Sequence, residues 1–538
     1  MTTAPHSQLA THDVTNQPEP RADRDLWSGD TALRAAARWA GADATALAEA
    51  GRLMGRDEMR QHAENARRDA PRLHVFDRSG RRRDEVEFHP GYHAIMDLGM
   101  TLGYAARPWE DAPGGHATHA GLVYYMAQLE PGISCPLTMT YAAVPALRDN
   151  PALAETWVPR LTARVYDPSI APVGRKRAAT MGMAMTEKQG GSDVRANATT
   201  AAPHGDHYTL RGHKWFCSAP MCDGFLTLAH APGGLTCFLV PRWLEEGRNT
   251  MHLMRLKDKL GNRANASSEI EYHDAVAYRL GEEGQGVKTI IEMVHHTRLD
   301  TAMAPAGLMR AALDEAYWWV SGRAAFQRRL IDQPLMRAVM ADLALEVEAA
   351  TALAFGAARA FDGTSEADRA FARISVALAK FISNKRAPVM IVEAMECLGG
   401  MGYIEETPMP MLYREAPLNG IWEGSGNVIC LDILRTLVKE PLATEGLMTR
   451  LQSVIGRDPR YDAALRAHQT RWPALPPEAE ARWFAESAAN LLAAAYLLEL
   501  ESVPVAEGFI ATRLEGQRGH VPGAVSGIDI DGILARLG

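Results

Sequence analysis

Four stretches of the chain combine residue types that could do chemistry. MTEKQGGSD, residues 185–193, sets two adjacent glycines before a serine. Glycines let backbone approach a ligand closely, and Ser192 can donate to a phosphate oxygen. Thr186 offers a hydroxyl to a heterocycle edge. GHKWFCS, residues 212–218, puts aromatics beside Ser218, a pairing that can cover a flat ring and bond its nitrogen. EAMECLGGMGY, residues 393–403, reads as a helix ending in a double glycine. IWEGSGN, residues 421–427, carries Glu423 beside two glycines and a serine, on a tight loop from which a carboxylate could reach a ligand. Singly, each has a plain reading: a polar turn, core aromatics, a helix cap, a solvated loop glutamate.

The elements that must position these clusters follow from the apolar periodicity. Residues 1–30 are polar and Pro-containing and read as a disordered or loosely wrapped arm. From about Asp30 the spacing is helical and continues to about Val173, broken by loops such as RPWEDAPGGHA. The run Arg81, Arg82, Arg83 reads as a solvated turn. Near Thr180 the pattern changes to short alternating stretches separated by Gly, Asn and Asp, the signature of an antiparallel β domain. From Gly284 long helical repeats return. Pro441 follows a helix ending near Lys439, and the remainder is again mostly helical. The expected domains are an arm (1–30), an α-helical domain (31–179), a middle β domain (180–283), a helical bundle (284–440) and an additional helical domain (441–538).

Composition narrows the function classes. The 538 residues exceed one ordinary domain. A net charge of −8 offers no global attraction to nucleic acid or an anionic membrane. The six cysteines form no CxxC pair and read as reduced thiols of a cytoplasmic protein. No apolar run is long enough to span a membrane, and the N-terminus lacks the basic and apolar regions of a signal peptide. His295 and His296, adjacent on a helix, point about 100° apart, which disfavours a metal site.

Together, in this order and with a helix–β–helix layout, the clusters resemble the acyl-CoA dehydrogenase family over about residues 30–440. The chain looks most similar to the AidB, or adaptive-response, branch through NQPEP, FHPGYH, SCPLTMTYA, MTEKQGGSDV, KDKLGNRANAS, LYREAPLNGIWEGSGN and the extra C-terminal segment. The resemblance implies a mainly α fold with a central antiparallel β domain and a bundle, FAD as cofactor, an acyl-CoA-type substrate, an acceptor such as an electron-transfer flavoprotein, and a homotetramer. Glu423 would be the catalytic base. Thr186 would meet the flavin pyrimidine edge, Gly191 and Ser192 the pyrophosphate, and Met185 would also bind the cofactor. Phe216 stands where many relatives carry a flavin-covering Trp, and Ser218 where they carry the hydroxyl that bonds flavin N5. Arg323, Phe326 and Gln333 would reach the FAD of a neighbouring subunit, with Leu398, Gly399 and Gly400 at its adenylate end. Ser425 and Asn427 would hold the pyrophosphate and ribityl region, and Arg298 would lie beside the acyl cavity. Relatives usually carry Gly where this chain has Gln327.

Three functions compete: a dehydrogenase of short or branched acyl-CoA, a DNA-binding flavoprotein of the alkylation response, and a flavoprotein turned to another oxidation, such as that of a nitroalkane or a carrier-bound acyl chain. Residues 445–538 hold nine Arg and no Lys against twelve Asp or Glu, which counts against DNA. Arg435, Lys439, Arg513 and Arg518 are the candidates for a local basic patch.

Overall fold

The computed structural model describes residues 5–500 and 502–537, so the first four residues of the arm lie outside the described residues. Residues 5–15 are exposed, but from Asn16 onward the arm is not loose. Asn16 donates from Nδ2 to the Ala324 carbonyl at 2.9 Å and accepts the Ala324 N–H at 2.7 Å. Pro18 packs against Gly322, leaving no room for a Cβ there. Trp318 Nε1 donates to the Glu19 carbonyl at 3.1 Å, and the Arg21 guanidinium lies 4.5 Å from the Trp318 ring. The segment 16–21 is therefore held along the end of the helix Gly286–Gly322.

Helices Thr31–Trp39 and Ala44–Met54 start where the sequence supplies Asp30 and Asp43, whose carboxylates accept first-turn N–H groups. Helical character does not run unbroken to Val173. Arg72–Phe76 and Arg82–Glu87 form an antiparallel hairpin. Its turn is built by Asp77, which accepts the N–H groups of Ser79 and Arg81, and by Gly80 at φ 79°. These are turn residues flanked by short β-forming runs, a signal that charged Arg-rich composition obscures. Arg81, Arg82 and Arg83 pair with Asp77, Asp84 and Glu85, so the basic run is locally neutralised.

The helices Gly115–Leu129 and Pro131–Ala142 are buried nearly all round. They bring the first domain against the β module and the bundle. The middle module is a seven-stranded sheet in which Gly234–Pro241 pairs with both Gly224–Ala231 and Ser267–Leu280. It is not wholly antiparallel. Met181–Ala184 runs parallel to Gly224–Ala231, in register from Met181 opposite Gly224 to Ala184 opposite Thr227. The hairpin Thr200–His204/His207–Ser218 intervenes and returns the chain in the same direction.

Gly286–Gly322, Pro334–Phe361 and Glu366–Glu396 form the bundle, joined by Gly426–Lys439. The third helix opens with a capping box between Ser365 and Asp368. The C-terminal helix Ala481–Glu499 is seated on this bundle. A Cβ on Gly356 would come within 2.3 Å of the Tyr496 ring, so only glycine allows that approach. No described helix is long and apolar enough to cross a membrane.

Candidate active site

The β module joins the first two clusters directly. Trp215 N–H donates to the Thr186 carbonyl at 2.8 Å. Behind them Glu187 is fully buried and accepts from Thr199 Oγ1 at 2.6 Å and Lys214 Nζ at 2.7 Å. Burial alone would raise the Glu187 carboxyl. The bonds from Lys214, Thr199 and the Ala198 N–H outweigh it and bring the pKa down to about 2. This buried pair anchors the loop, while Gly191 and Ser192 stay exposed. A Cβ on Gly191 would come within 2.4 Å of Thr186 Oγ1, so the loop folds tightly onto that hydroxyl. Met185 is half-buried, and its carbonyl accepts from Asn197 Nδ2 at 3.1 Å.

Phe216 sits in a strand yet is 49% exposed, an apolar ring beside the half-buried Ser218, with the Lys257 ammonium 4.8 Å from its centre. Across from them the helix Pro131–Ala142 presents Cys135. Burial pushes its thiol up to about 12, and the Ser218 hydroxyl and the Glu423 charge are among the groups near enough to act on it. Cys135 thus marks the place where the second and fourth clusters meet.

Glu423 occupies a left-handed turn at φ 57°, followed by Gly424 at φ 105°. A non-glycine residue in this region is strained and stays there only if its surroundings hold it. Two cations do so. Arg298 Nε donates to the Glu423 carbonyl at 3.2 Å, while its Nη1 bonds Asp432 Oδ2 at 2.6 Å. Lys380 Nζ donates to the carbonyls of Asn419 at 3.0 Å and Gly424 at 2.8 Å. The Glu423 N–H has no acceptor among the described residues. Its Oε2 is buried without a hydrogen-bond partner. Burial raises the Glu423 pKa above the ordinary carboxylate range, against the opposing pull of Thr297, Lys380 and Arg298.

The neighbouring His295 and His296 are neutral packing groups. Burial drives His295 well below the usual histidine range and His296 down to about 3. The His295 ring stacks on Phe361 at 4.5 Å. No cluster of potential metal ligands occurs among the described residues.

Ser425 precedes the helix Gly426–Lys439 with its side chain making no capping bond. Asn427 Oδ1 accepts from Arg482 Nη1 at 2.9 Å, and a Cβ on Gly426 would come 2.9 Å from Lys385 Cε. A helix N-terminus flanked by Lys385 and Arg482 suits a pyrophosphate. Together with the exposed Phe216, the free Ser425 and the tight Thr186–Gly191 turn, these residues fit an FAD.

The remaining predicted positions lie elsewhere. Leu398 is in the core at 3% exposure, so only its backbone can face a ligand, whereas Gly399, at φ 60°, and Gly400 are open. Arg323, Phe326 and Gln333 surround the small hairpin Ala324–Ala325/Arg328–Arg329. Phe326 is 92% exposed. Gln327 adopts φ 64°, the conformation the usual glycine allows freely. Gln333 Nε2 donates to the Ala325 carbonyl at 3.1 Å and Arg323 Nη1 to the Asn16 carbonyl at 3.1 Å. Arg298 and Arg323 bound 25 residues of chain, nearly all within one helix, a separation of about 37 Å at 1.5 Å per residue.

The basic patch needs correction. Arg513 is buried against Asp342 and Glu346, and Arg518 approaches the same two carboxylates at 3.5 Å each. Two cations assigned to DNA therefore serve an internal charge cluster, and Arg435 and Lys439 alone stay exposed. Sequence reasoning also missed Lys380, Lys385, Asp432 and Arg482. A lone Lys inside the apolar run SVALAKFIS was the one available signal.

Comparison with known proteins agrees with this geometry. Residues 16–168 match the adaptive response protein AidB N-terminal domain, 182–275 the acyl-CoA dehydrogenase middle domain, and 284–438 the acyl-CoA dehydrogenase C-terminal domain. The chain is 42% identical over 517 residues to the putative acyl-CoA dehydrogenase AidB of Escherichia coli (strain K12), covering 95% of each chain. The structure of Caenorhabditis elegans ACDH-11 in complex with C11-CoA superposes with a TM-score of 0.85 at 26% identity, covering 98% of this chain and 95% of that one. An acyl-CoA dehydrogenase from Bacillus anthracis complexed with FAD shares the fold, with a TM-score of 0.66 at 19% identity over 83% of this chain and 82% of that one. With the Thr186 loop tied to the strand of Phe216 and Ser218, Glu423 set in its braced turn, and relatives matched over nearly the whole length, the chain belongs to the acyl-CoA dehydrogenase family of FAD-dependent oxidoreductases, in its AidB branch.

Proposed function

We propose that the protein forms an α,β-double bond in a short or branched acyl-CoA, with Glu423 as general base. The carrying observation is a half-buried Glu423 whose Oε2 is buried without a partner and whose pKa burial raises, near enough to Cys135, on which Ser218 also acts, for its charge to reach that thiol. A thioester α C–H is weakly acidic, so its removal needs both a base of enhanced basicity and stabilisation of the charge that moves onto the carbonyl. The free Glu423 N–H can hold that carbonyl while Oε2 takes the α proton. FAD, when bound, supplies the acceptor for the β hydrogen. Ser218, Phe216 and Thr186 orient the ring, and Ser425, Lys385 and Arg482 hold the phosphate end.

The preference for short or branched chains rests on packing near Thr297. The adjacent His296 ring lies within 5.7 Å of the Trp109, His116, Tyr141 and Phe361 rings, a closely packed aromatic cluster on that side of the helix. The homotetramer is carried over from the family resemblance; the exposed Arg323 hairpin, about 37 Å along the helix from Arg298, supports at least a second subunit whose site it can serve. Electrons leave to an electron-transfer flavoprotein. Anaerobic mixing with isovaleryl-CoA and butyryl-CoA tests the reading: at least one bleaches the bound flavin. Failure of both, with flavin intact, would transfer the site to another oxidation.

A further inference from the structure

Lys380 is the strongest unassigned feature of the molecule. Its side chain is 2% exposed, on the helix Glu366–Glu396, and forms no ion pair with a carboxylate within bonding distance. An ammonium in such a place is costly unless something compensates it. What compensates it is the backbone of one short loop: the carbonyls of Asn419 and Gly424, which bracket Glu423. Arg298 holds the carbonyl between, that of Glu423 itself. Three carbonyls of the 419–424 loop are thereby turned toward fixed cations.

We infer that Lys380 is a positioning residue that holds Glu423 in its left-handed turn and, through its charge, sets how tightly that carboxylate binds its proton. This rests on Glu423 being the base. The peptide that carries the Glu423 N–H, shared with Trp422, lies between the braced carbonyls of Asn419 and Glu423, and this N–H has no acceptor among the described residues. The charge coupling runs in both directions. The Lys380 cation draws the Glu423 pKa down, and the Glu423 charge draws the Lys380 pKa up. Burial dominates each group. It leaves Lys380 lowered to about 7 and Glu423 raised. The other groups acting on the pair are Arg298, which lowers both, Lys385, which lowers Lys380, and Thr297 and Asp300, which act on Glu423 in opposite directions. Burial lowers Lys380 and the Glu423 charge opposes that, so the charge on Lys380 and the proton affinity of Glu423 are linked. A lysine that served packing alone would leave Glu423's titration indifferent to its replacement.

The test uses the FAD-loaded protein without substrate. The protonated-carboxyl infrared band that Glu423→Gln deletes identifies Glu423, and its pH midpoint is compared in the parent and Lys380→Met. Loss of the cation should move that midpoint up, because a nearby opposite charge favours the ionised carboxylate. The reciprocal arm needs no change at Lys380. The chain has nine lysines, so the 13Cε resonances of labelled lysine are few enough to resolve, with Lys380 assigned through its absence in Lys380→Met or Lys380→Arg. In Glu423→Gln the Lys380 midpoint should fall, because the charge that held it up is gone. Unmoved midpoints in either arm would overturn the coupling, and the reciprocal arm decides if Lys380→Met does not fold. These outcomes are independent of turnover: coupling without flavin bleaching by any acyl-CoA would keep the clamp and remove the dehydrogenase reading, and bleaching without coupling would do the reverse.

Discussion

Arg298 touches Glu423 at its backbone carbonyl, to which Nε donates at 3.2 Å, while the guanidinium's ion pair is with Asp432 at 2.6 Å. One planar group thus ties the helix Gly286–Gly322 to the catalytic loop and to the helix that follows it. Arg298→Lys cannot reproduce that fork. It should retain FAD and lower the rate of flavin reduction by roughly 10-fold or more, the scale of a misplaced reacting group. Arg298→Met should do worse and also lose stability, because Asp432 would then depend on the more distant Arg373 and Arg435. Stopped-flow reduction and thermal melting of both variants check this. An Arg298→Lys enzyme as fast as the parent would show that the loop holds its shape without the brace.

Glu423→Gln removes basicity while keeping shape. Flavin reduction by an acyl-CoA should slow by about 100-fold or more, the loss expected for a positioned general base. The parent rate should rise with pH through the Glu423 pKa, because only the deprotonated carboxylate acts. Stability should show the opposite sign. A carboxyl whose folded pKa is raised favours folding while protonated, and that contribution disappears as pH rises through the folded value. Glu423→Gln has no such charge to bury, so its melting temperature should exceed the parent's at the alkaline side of that pKa and converge with it on the acid side. Parallel melting curves at all pH values would mean that the carboxylate is well solvated.

Much of this site could be read in the sequence because its parts are local. Thr186 with Gly191, Phe216 with Ser218, and Glu423 with Gly424 are each set by neighbours in the chain, and their residue types announce a turn, an exposed ring or a strained loop. The helix–sheet–helix order was equally plain from the change of apolar period near Thr180. What stayed hidden was the long-range pairing. Nothing in SVALAKFIS says that Lys380 will meet carbonyls 39 and 44 residues away. Nothing in the acidic tail says that Arg513 and Arg518 are turned inward onto Asp342 and Glu346. The hairpin at residues 72–87 was overlooked because charge masks its alternation, and the parallel pairing of Met181–Ala184 depends on a partner about 40 residues on. Such contacts are fixed by packing and by pairing of buried charge, which composition does not order.

The inward arginines separate the DNA reading from simple charge counting. Only Arg435 and Lys439 of the four remain exposed, so duplex binding should be weak, with a shallow dependence on salt because few phosphates are neutralised. Arg435→Gln and Lys439→Gln should reduce what binding exists without affecting melting. Arg518→Gln should instead lower the melting temperature, since Asp342 and Glu346 lose a neighbouring cation. Fluorescence anisotropy across a salt series distinguishes the cases. A steep salt slope abolished by Arg518→Gln in a stably folded protein would put Arg518 on DNA after all.

The arm offers the most direct test of the neighbour's role in cofactor binding. Asn16 sits at φ 56° and pairs with both the N–H and the carbonyl of Ala324, as a strand would, while its own carbonyl takes the Arg323 guanidinium. It therefore sets the pose of the hairpin that displays Phe326, whose ring has nothing of its own chain to cover it. Asn16→Ala removes the side-chain half of this grip. It lies far from the Glu423 loop, so within one subunit it should leave flavin binding untouched. If the hairpin serves a neighbouring subunit's FAD, Asn16→Ala should speed FAD release several-fold on dilution and weaken the oligomer, and Phe326→Ala should do the same with the arm intact. FAD fluorescence recovery and light scattering follow the two events together. Normal FAD retention in both variants would confine the hairpin to a structural role and leave each subunit to hold its cofactor alone.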